Sequence, residues 1–295
     1  MLKHFFSILL TFTVWNAQCQ DYSNYYNRCN TADSLEYIGL SQQALDTFKV
    51  AFESVDYVHS NKYYDAYHLA IKIGAFQDAF WFGKMIIINS GNKNLARTKS
   101  TSSKHSKYFK WLKDSADFYF KKYNSRVNHD YIKVIDSLHY IDQNIIRKNR
   151  SVKGKYKIEK NSLPENLFEL DKVNWQHLHR LIDSLGFPSE KNVGLDAYNN
   201  AWIIIHHNLR LKENEVYHKE IFQSIKDGEY LPEHFCFWYE QFQTWTNGRG
   251  FFFTWNGDTS KENLKIINLN RRLFYLKSSD SFELKNNGRK WQSKW

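Results

Sequence analysis

Residues 36–55, EYIGLSQQALDTFKVAFESV, are echoed by residues 72–88, KIGAFQDAFWFGKMIII. Gly39 recurs as Gly74 at a separation of 35 residues, and alanines near the two glycines recur at the same separation. Self-similarity at such a period is typical of stacked helical hairpins. Small side chains at these positions let paired helices approach closely. The echo therefore predicts helical hairpins in the first part of the chain.

The two copies share further packing positions. These positions are Gly39, Ala44, Phe48 and Ala51 in the first copy, and Ala66, Tyr67, Ala70, Gly74, Phe76 and Ala79 in the second. They resemble the turn glycine and the packing residues of the tetratricopeptide repeat, a helix-turn-helix unit. Gly83 departs from that pattern, because the repeat has an aromatic residue there. The resemblance implies tetratricopeptide-like hairpins over residues 19–130, and ordinary helical hairpins with small contact residues are the alternative.

The composition favours helices throughout the 295 residues. Only 3 Pro and 12 Gly are present, so long helices are rarely interrupted and folds of many short strands are disfavoured. Aromatic residues make up 17% of the chain, which excludes a disordered protein. We therefore predict a mainly α-helical protein, with a small β-hairpin or a short helix near residues 273–284.

The first residues have the pattern of an export signal. Residues 5–14 are mostly apolar, but they are too few to span a bilayer. A plausible cleavage region follows, so residues 1–18 are predicted to be a removable signal peptide. We expect an exported protein, periplasmic or secreted, with no transmembrane segment once the signal is removed.

Three cysteines provide no disulfide framework. Cys19 and Cys29 are close enough in sequence to pair in an oxidising compartment. A lipid anchor on Cys19, which would make an outer-membrane lipoprotein, is the less favoured alternative because Gln18 replaces the usual small residue before it. Cys236 lies among aromatic residues and is expected to be a small buried apolar residue. The chain has no CxxC motif, so we expect neither a thiolate zinc site nor a redox pair.

The net charge of +10 is concentrated in two segments. Residues 92–126 carry ten Lys or Arg against two Asp, and residues 261–295 carry nine basic residues against three acidic ones. Aromatic residues are interleaved with the first segment, as in proteins that stack on nucleic-acid bases. An exported protein rarely meets nucleic acid, however. We therefore expect no nucleic-acid partner and favour an envelope protein or an anionic polymer.

The second half carries several motifs in a fixed order. They are Ile141-Asp142-Gln143 with Arg147, Leu170-Asp171-Lys172-Val173-Asn174, Leu185-Gly186-Phe187-Pro188, Val193-Gly194, and Ala201-Trp202-Ile203-Ile204-Ile205-His206-His207. Their order and spacing resemble the bacterial domain-of-unknown-function family 6624, and the resemblance covers about residues 131–284. Departures include Phe187 for the family's Trp and His206 for its Gln. The resemblance implies a helical C-terminal domain, followed by a basic tail of residues 285–295.

The polar residues of these motifs form the candidate site. They are His207, Arg147, Asp142, Asp171 and Arg271. Residues 201–205 are apolar on nearly every face, which predicts a central helix, and a histidine at its end needs a polar partner. We expect His207 to be buried and hydrogen-bonded to a side chain from elsewhere in the C-terminal domain, whereas His206 matters less if its ring points outward. Asp171 is expected to cap a helix that begins near Val173.

The sequence has no motif that fixes a chemistry. Phosphate loops, dinucleotide loops, nucleophile elbows and the HExxH zinc motif are absent. The histidine pairs at 177/179 and 206/207 lack the spacing of four that chelation on a helix needs, so no metal and no cofactor is expected. A metal shared by one histidine of each pair is the less favoured alternative.

Two functions from different classes fit these observations. The favoured one is a noncatalytic binding or scaffold protein of the cell envelope, with helical hairpins that present a binding surface. The alternative is an enzyme that acts on an anionic substrate through a pocket of His207, Arg147, Asp142 and Arg271. An open pocket lined by these residues would favour the enzyme, and a closed hydrogen-bonded core would favour the scaffold.

Overall fold

The computed structural model describes residues 22–97, 106–143, 167–210, 212–247, 261–273 and 275–276. Within these ranges the α-helices are α1 (Ser23–Tyr37), α2 (Ser41–Glu53), α3 (Ser60–Ile73), α4 (Phe76–Ser90), α5 (Ser106–Arg126), α6 (His129–Tyr140), α7 (Leu167–Leu185), α8 (Glu190–Leu209), α9 (His218–Lys226), α10 (Pro232–Asn247) and α11 (Lys261–Leu273). Short 3-10 helices span Lys93–Arg97 and Lys212–Tyr217. The predicted mainly α-helical fold is confirmed.

The small β-hairpin expected near the end is not seen in the described residues. Leu273, the first residue of the segment expected to form the hairpin, is instead the last residue of α11, because residues 261–273 form an amphipathic helix. Most of the segment expected to form the hairpin lies outside the described residues.

Helical hairpins form the first part of the chain. α1 packs against α2, α3 packs against α4, and α4 packs against α5. Gly39 and Gly74 lie in the turns of the two hairpins, with φ of +86° and +80°. Gly74 directly follows α3, and Gly39 is the second residue after α1. Only glycine adopts this left-handed conformation without strain. The sequence echo therefore marks equivalent turns, while membership of the tetratricopeptide class stays a prediction.

α8 is the central helix, as its apolar sequence predicted. α4, α5, α6, α7 and α10 all pack against it, and Ile204 and Ile205 are at most 1% exposed. Gly194 interrupts the helix near its start with φ +79° and ψ 169°. A Cβ atom at Gly194 would overlap the Tyr123 ring, so glycine allows the close approach of α5.

The start of α7 differs from the position that the sequence predicted. The helix begins at Leu167 rather than near Val173, because apolar residues before Asp171 extend the helical period towards the N-terminus. Asp171 therefore lies inside the helix and does not cap it. The other end of α7 lies where expected, since the helix stops at Leu185 and Gly186 follows with φ +80°.

The hydrophobic core is continuous across the position near residue 130 where the sequence predicted a division. One cluster includes Phe48 and Phe82 from the first part and Trp175, Ile204 and Trp238 from the second. Helices on both sides of that position thus bury their apolar faces against each other. Separate folding of the two parts stays a prediction.

Buried polar contacts also join the two parts. The Glu190 carboxylate, which is 0% exposed, accepts hydrogen bonds from the Ser60 amide at 3.1 Å and from the Ser60 hydroxyl. The Arg126 guanidinium donates to the carbonyl of Asn89 at 2.8 Å and to the carbonyl of Lys191. The first turn of α8 is therefore fixed to α3, α4 and α5.

None of the helices in the described ranges combines the length and apolar character needed to cross a bilayer. The predicted signal peptide, Cys19 and the basic tail fall outside the described residues. Cys29 and Cys236 are both buried, the latter as expected.

Candidate functional site

The end of α8 and the turn after α6 bring two candidate residues together. His207 Nδ1 lies 2.9 Å from Asp142 Oδ2 and 3.1 Å from Asp142 Oδ1. An ionised carboxylate only accepts hydrogen bonds, so the imidazole donates its Nδ1 proton to Asp142. Asp142 is 0% exposed and the His207 side chain is 15% exposed. His207 thus has the hydrogen-bonded partner that the sequence predicted, although it is half-buried rather than fully buried.

Charged and polar groups surround this pair. Arg210 Nε donates to the His207 carbonyl at 3.3 Å, and Arg210 Nη1 donates to Gln241 Oε1 on α10 at 3.2 Å. Burial lowers the pKa of the nearby His139 imidazole, and the Asp142 carboxylate opposes this only in part. The pair therefore lies in a tightly connected polar cluster where α6, α8 and α10 meet.

The other candidate residues belong to other elements of the fold. Asp171 on α7 is 7% exposed and Arg271 on α11 is 4% exposed. Burial raises the pKa of the Cys236 thiol, and the Arg271 guanidinium is close enough to oppose that rise, which locates Arg271 beside α10. Arg147 lies outside the described residues. Among the five candidate residues, the structure therefore shows a direct contact between Asp142 and His207.

His206 is buried rather than outward-facing. It is 8% exposed, and its ring centroid lies 5.1 Å from that of Phe237 and 5.7 Å from that of Trp202. Adjacent residues on a helix point in different directions, so His206 faces α10 while His207 faces Asp142. Replacement of His206 should therefore not be harmless.

The second histidine pair has its own partners. His179 Nε2 lies 3.3 Å from Glu220 Oε2, and its ring packs against Trp175 and Tyr217. His177 on the same helix is exposed. In the described part of the chain, no group of three or more His, Cys, Asp or Glu residues is arranged to hold a metal ion.

One face of α5 combines exposed aromatic and basic side chains, and we call it the basic–aromatic face. It consists of Lys107, Lys110, Trp111, Phe118, Lys121 and Lys122, with the exposed Asp114 between the two aromatic residues. Trp111 is 50% exposed and Phe118 is 58% exposed, whereas Leu112 and Ala116 on the opposite face are buried. Lys107 Nζ lies 5.6 Å from the Trp111 ring centroid, and Lys122 Nζ lies 4.9 Å from that of Phe118.

A cleft elsewhere was not anticipated from the sequence. It has a volume of about 320 Å³ and is lined by residues that include Asp56, Lys191 and Glu229. These residues are far apart along the chain and belong to no motif, so no sequence signal groups them.

Comparisons with family models, curated proteins and solved structures find no match for the chain. The resemblance to domain-of-unknown-function family 6624 therefore stays a prediction.

Proposed function

We propose that the protein is an exported, noncatalytic binding protein that holds an anionic polymer of the cell envelope on the basic–aromatic face. The observation that carries this proposal is the exposure of Trp111 and Phe118 on the outer face of α5 among lysines. Exposed aromatic side chains rimmed by charged residues are typical of interaction sites. The lysines supply charge complementarity to a polyanion.

The rigid position of α5 supports this role. Leu112 and Ala116 anchor its inner face in the core, and Arg126 fixes its end to α4 and α8. The polymer would therefore meet a preformed surface, which reduces the entropy lost on binding.

The burial of three of the candidate polar residues supports the noncatalytic choice. Asp142, Asp171 and Arg271 are 0%, 7% and 4% exposed, respectively. Side chains this deeply buried are better suited to holding helices together than to meeting a polymeric substrate. His207 is then a structural residue that joins α8 to α6.

Binding to heparin, with neutral dextran as the control polymer, tests the proposal. We expect heparin binding that weakens between ionic strengths of about 0.1 M and about 1 M, because the Debye length falls from about 10 Å to about 3 Å. The test variant replaces four lysines of the face with Gln: Lys107, Lys110, Lys121 and Lys122. The matched control replaces four exposed lysines elsewhere with Gln: Lys172, Lys212, Lys219 and Lys265.

The two variants have the same net charge, so they separate a local site from general attraction. We expect the test variant to bind heparin at least about tenfold more weakly than the control, which corresponds to about 1.4 kcal/mol. Equal affinities of the two variants, or equal binding of dextran, would exclude the basic–aromatic face as the site.

A second candidate function is an enzyme that acts on an anionic substrate. The Asp142–His207 hydrogen bond favours it, because a carboxylate that fixes an imidazole tautomer is a common arrangement in acid-base catalysis. Arg210 beside His207 would attract an anion. Hydrolysis of 4-nitrophenyl phosphate by the parent but not by the His207→Gln variant would support this candidate, and rates equal to the buffer blank would count against it.

A further inference from the structure

The cleft of about 320 Å³ lies where the start of α1, the loop before α3, the start of α8 and the turn after α9 meet. Its polar lining includes Tyr22, Asp56, Ser189, Lys191, Asp227 and Glu229. The cleft is separate from the basic–aromatic face and from the His207 cluster. Its volume is at the lower end of the range of small-molecule sites, about 300 to 1,000 Å³.

Acidic groups outnumber basic groups in this lining. Lys191 Nζ lies 2.6 Å from Asp56 Oδ2, so these two charges compensate each other. The Tyr22 hydroxyl donates to Asp56 Oδ1 at 2.7 Å, which fixes the carboxylate further. Asp227 and Glu229 are the other two carboxyl groups of the lining, and they lie in the turn after α9. The cleft is therefore suited to a ligand that brings positive charge.

Glu229 is the group whose charge is least compensated. Burial raises the pKa of its carboxyl to about 7, the Asp227 carboxylate adds to the rise, and the Lys191 ammonium opposes it only in part. A cation close to Glu229 would favour the ionised carboxylate and would be held by it. Perturbed acids in clefts are frequent at binding sites.

Ser189 provides an independent indication of a ligand. It is 3% exposed, it lines the cleft, and it is the N-cap residue of α8. Its hydroxyl nevertheless makes no capping hydrogen bond, and it has no other hydrogen-bond partner within the described part of the chain. The hydroxyl oxygen opens into the cleft, where a ligand can reach it. A polar group of a bound molecule would hydrogen-bond to it.

We propose that the cleft binds a small polyhydroxylated primary amine, such as an amino sugar. Its ammonium group lies against Asp227 and Glu229, and one of its hydroxyl groups hydrogen-bonds to Ser189. The ammonium balances the excess negative charge of the lining, and the hydroxyl gives Ser189 a hydrogen-bond partner in the cleft. A molecule of monosaccharide size matches the volume of the cleft. The site is independent of the proposed polymer binding, because it selects the opposite charge.

Isothermal titration with glucamine and sorbitol tests the proposal. The two molecules share the same carbon chain, and glucamine carries an ammonium group in place of one terminal hydroxyl of sorbitol. The buffer must not contain Tris, which is itself a hydroxylated primary amine. We expect saturable binding of glucamine with one site per chain and no binding of sorbitol. The absence of saturable glucamine binding by the parent protein, or equal binding of sorbitol, would overturn the proposal.

Substitutions locate the site. Glu229→Gln and Ser189→Ala should each weaken glucamine binding, by at least about tenfold for Glu229→Gln because a charge pair is lost. Glu213→Gln removes an exposed carboxylate outside the cleft and should leave binding unchanged. Thermal melts check that the variants are folded, and Glu229→Gln should melt no lower than the parent at neutral pH. A folded Glu229→Gln variant with the parent's affinity would contradict the proposed site.

Discussion

Glu190, the first residue of α8, caps the N-terminus of α3 through Ser60, a residue 130 positions earlier in the chain. The N-cap residue of α3, His59, makes no capping hydrogen bond with its own side chain, so the cap comes from a distant helix. His59 Nδ1 lies 3.5 Å from Glu190 Oε2, and both side chains are 0% exposed. The Glu190 carboxylate therefore caps the N-terminus of α3 and also joins the two parts of the protein.

Replacement of Glu190 should destabilise the whole protein. Glu190→Ala leaves the Ser60 amide and hydroxyl buried without their acceptor, and each such loss costs about 1–3 kcal/mol. We expect the free energy of unfolding in urea to fall by about 2–4 kcal/mol. The control Glu213→Ala, at an exposed position, should change it by less than about 0.5 kcal/mol. Equal unfolding midpoints for both variants would show that the cap is dispensable.

Loss of His207 should also lower stability. His207→Ala removes one hydrogen-bond donor from the Asp142 carboxylate, which is 0% exposed. We expect a loss of about 1–3 kcal/mol in the free energy of unfolding, measured by urea denaturation. A variant that unfolds at the parent's urea concentration would rule out a structural role for this pair.

His206 provides a comparison on the same helix. Its ring packs against Trp202 and Phe237, so His206→Ala removes buried contacts instead of a hydrogen bond to Asp142. We expect a loss of about 1–3 kcal/mol here as well, since truncation of a packed ring leaves a cavity. His177→Ala, at an exposed position, should leave stability unchanged. If His206→Ala behaves like His177→Ala in urea, the ring does not contribute to packing.

Trp111 should matter for binding and not for stability. The side chain is half-exposed on α5 and contacts Phe80 and Tyr108 at its edge. Trp111→Ala should reduce heparin affinity several-fold, because stacking and cation–π contributions of about 0.5–1 kcal/mol are lost at an exposed site. Its melting temperature should stay close to that of the parent. An unchanged heparin affinity would mean that Trp111 does not contribute to binding and that the lysines alone form the proposed surface.

His234 should make the protein sensitive to mild acid. Burial lowers the pKa of its imidazole to about 3, and the ring stacks on Trp202 at 4.4 Å. The folded-state pKa lies below the unfolded value of about 6.5, so between these values the unfolded state binds the proton more tightly. The stability contribution of neutral His234 is therefore lost as the pH falls below about 6.5.

The slope of that loss can be measured. Relative to the His234→Gln variant, the parent should lose about 1.4 kcal/mol of unfolding free energy per pH unit below about 6.5. Urea denaturation at several pH values between about 4.5 and 7 follows the difference. If the unfolding free energies of the two proteins change equally with pH, the His234 imidazole does not contribute the expected pH dependence.

Much of the fold could be predicted because its determinants are local. The scarcity of proline and glycine predicts a mainly helical fold. The recurrence of Gly39 as Gly74 predicts the hairpin turns, and the apolar run of residues 201–205 predicts the central helix. Each signal depends on neighbouring residues and on the helical period. The start of α7 was misplaced because Asp171 looks like a cap in isolation, whereas the preceding apolar residues continue the helix.

The sequence by itself determined that the fold is mainly helical, that helical hairpins form its first part, and that the histidine at the end of the central helix needs a polar partner. Only the tertiary structure decided that this partner is Asp142, that Glu190 caps α3, and that Ser189 and Glu229 line one cleft. The physical reason is that helix formation depends on contacts between residues three or four positions apart. A buried polar contact instead depends on how whole helices pack, and no local pattern records which distant groups that packing brings together.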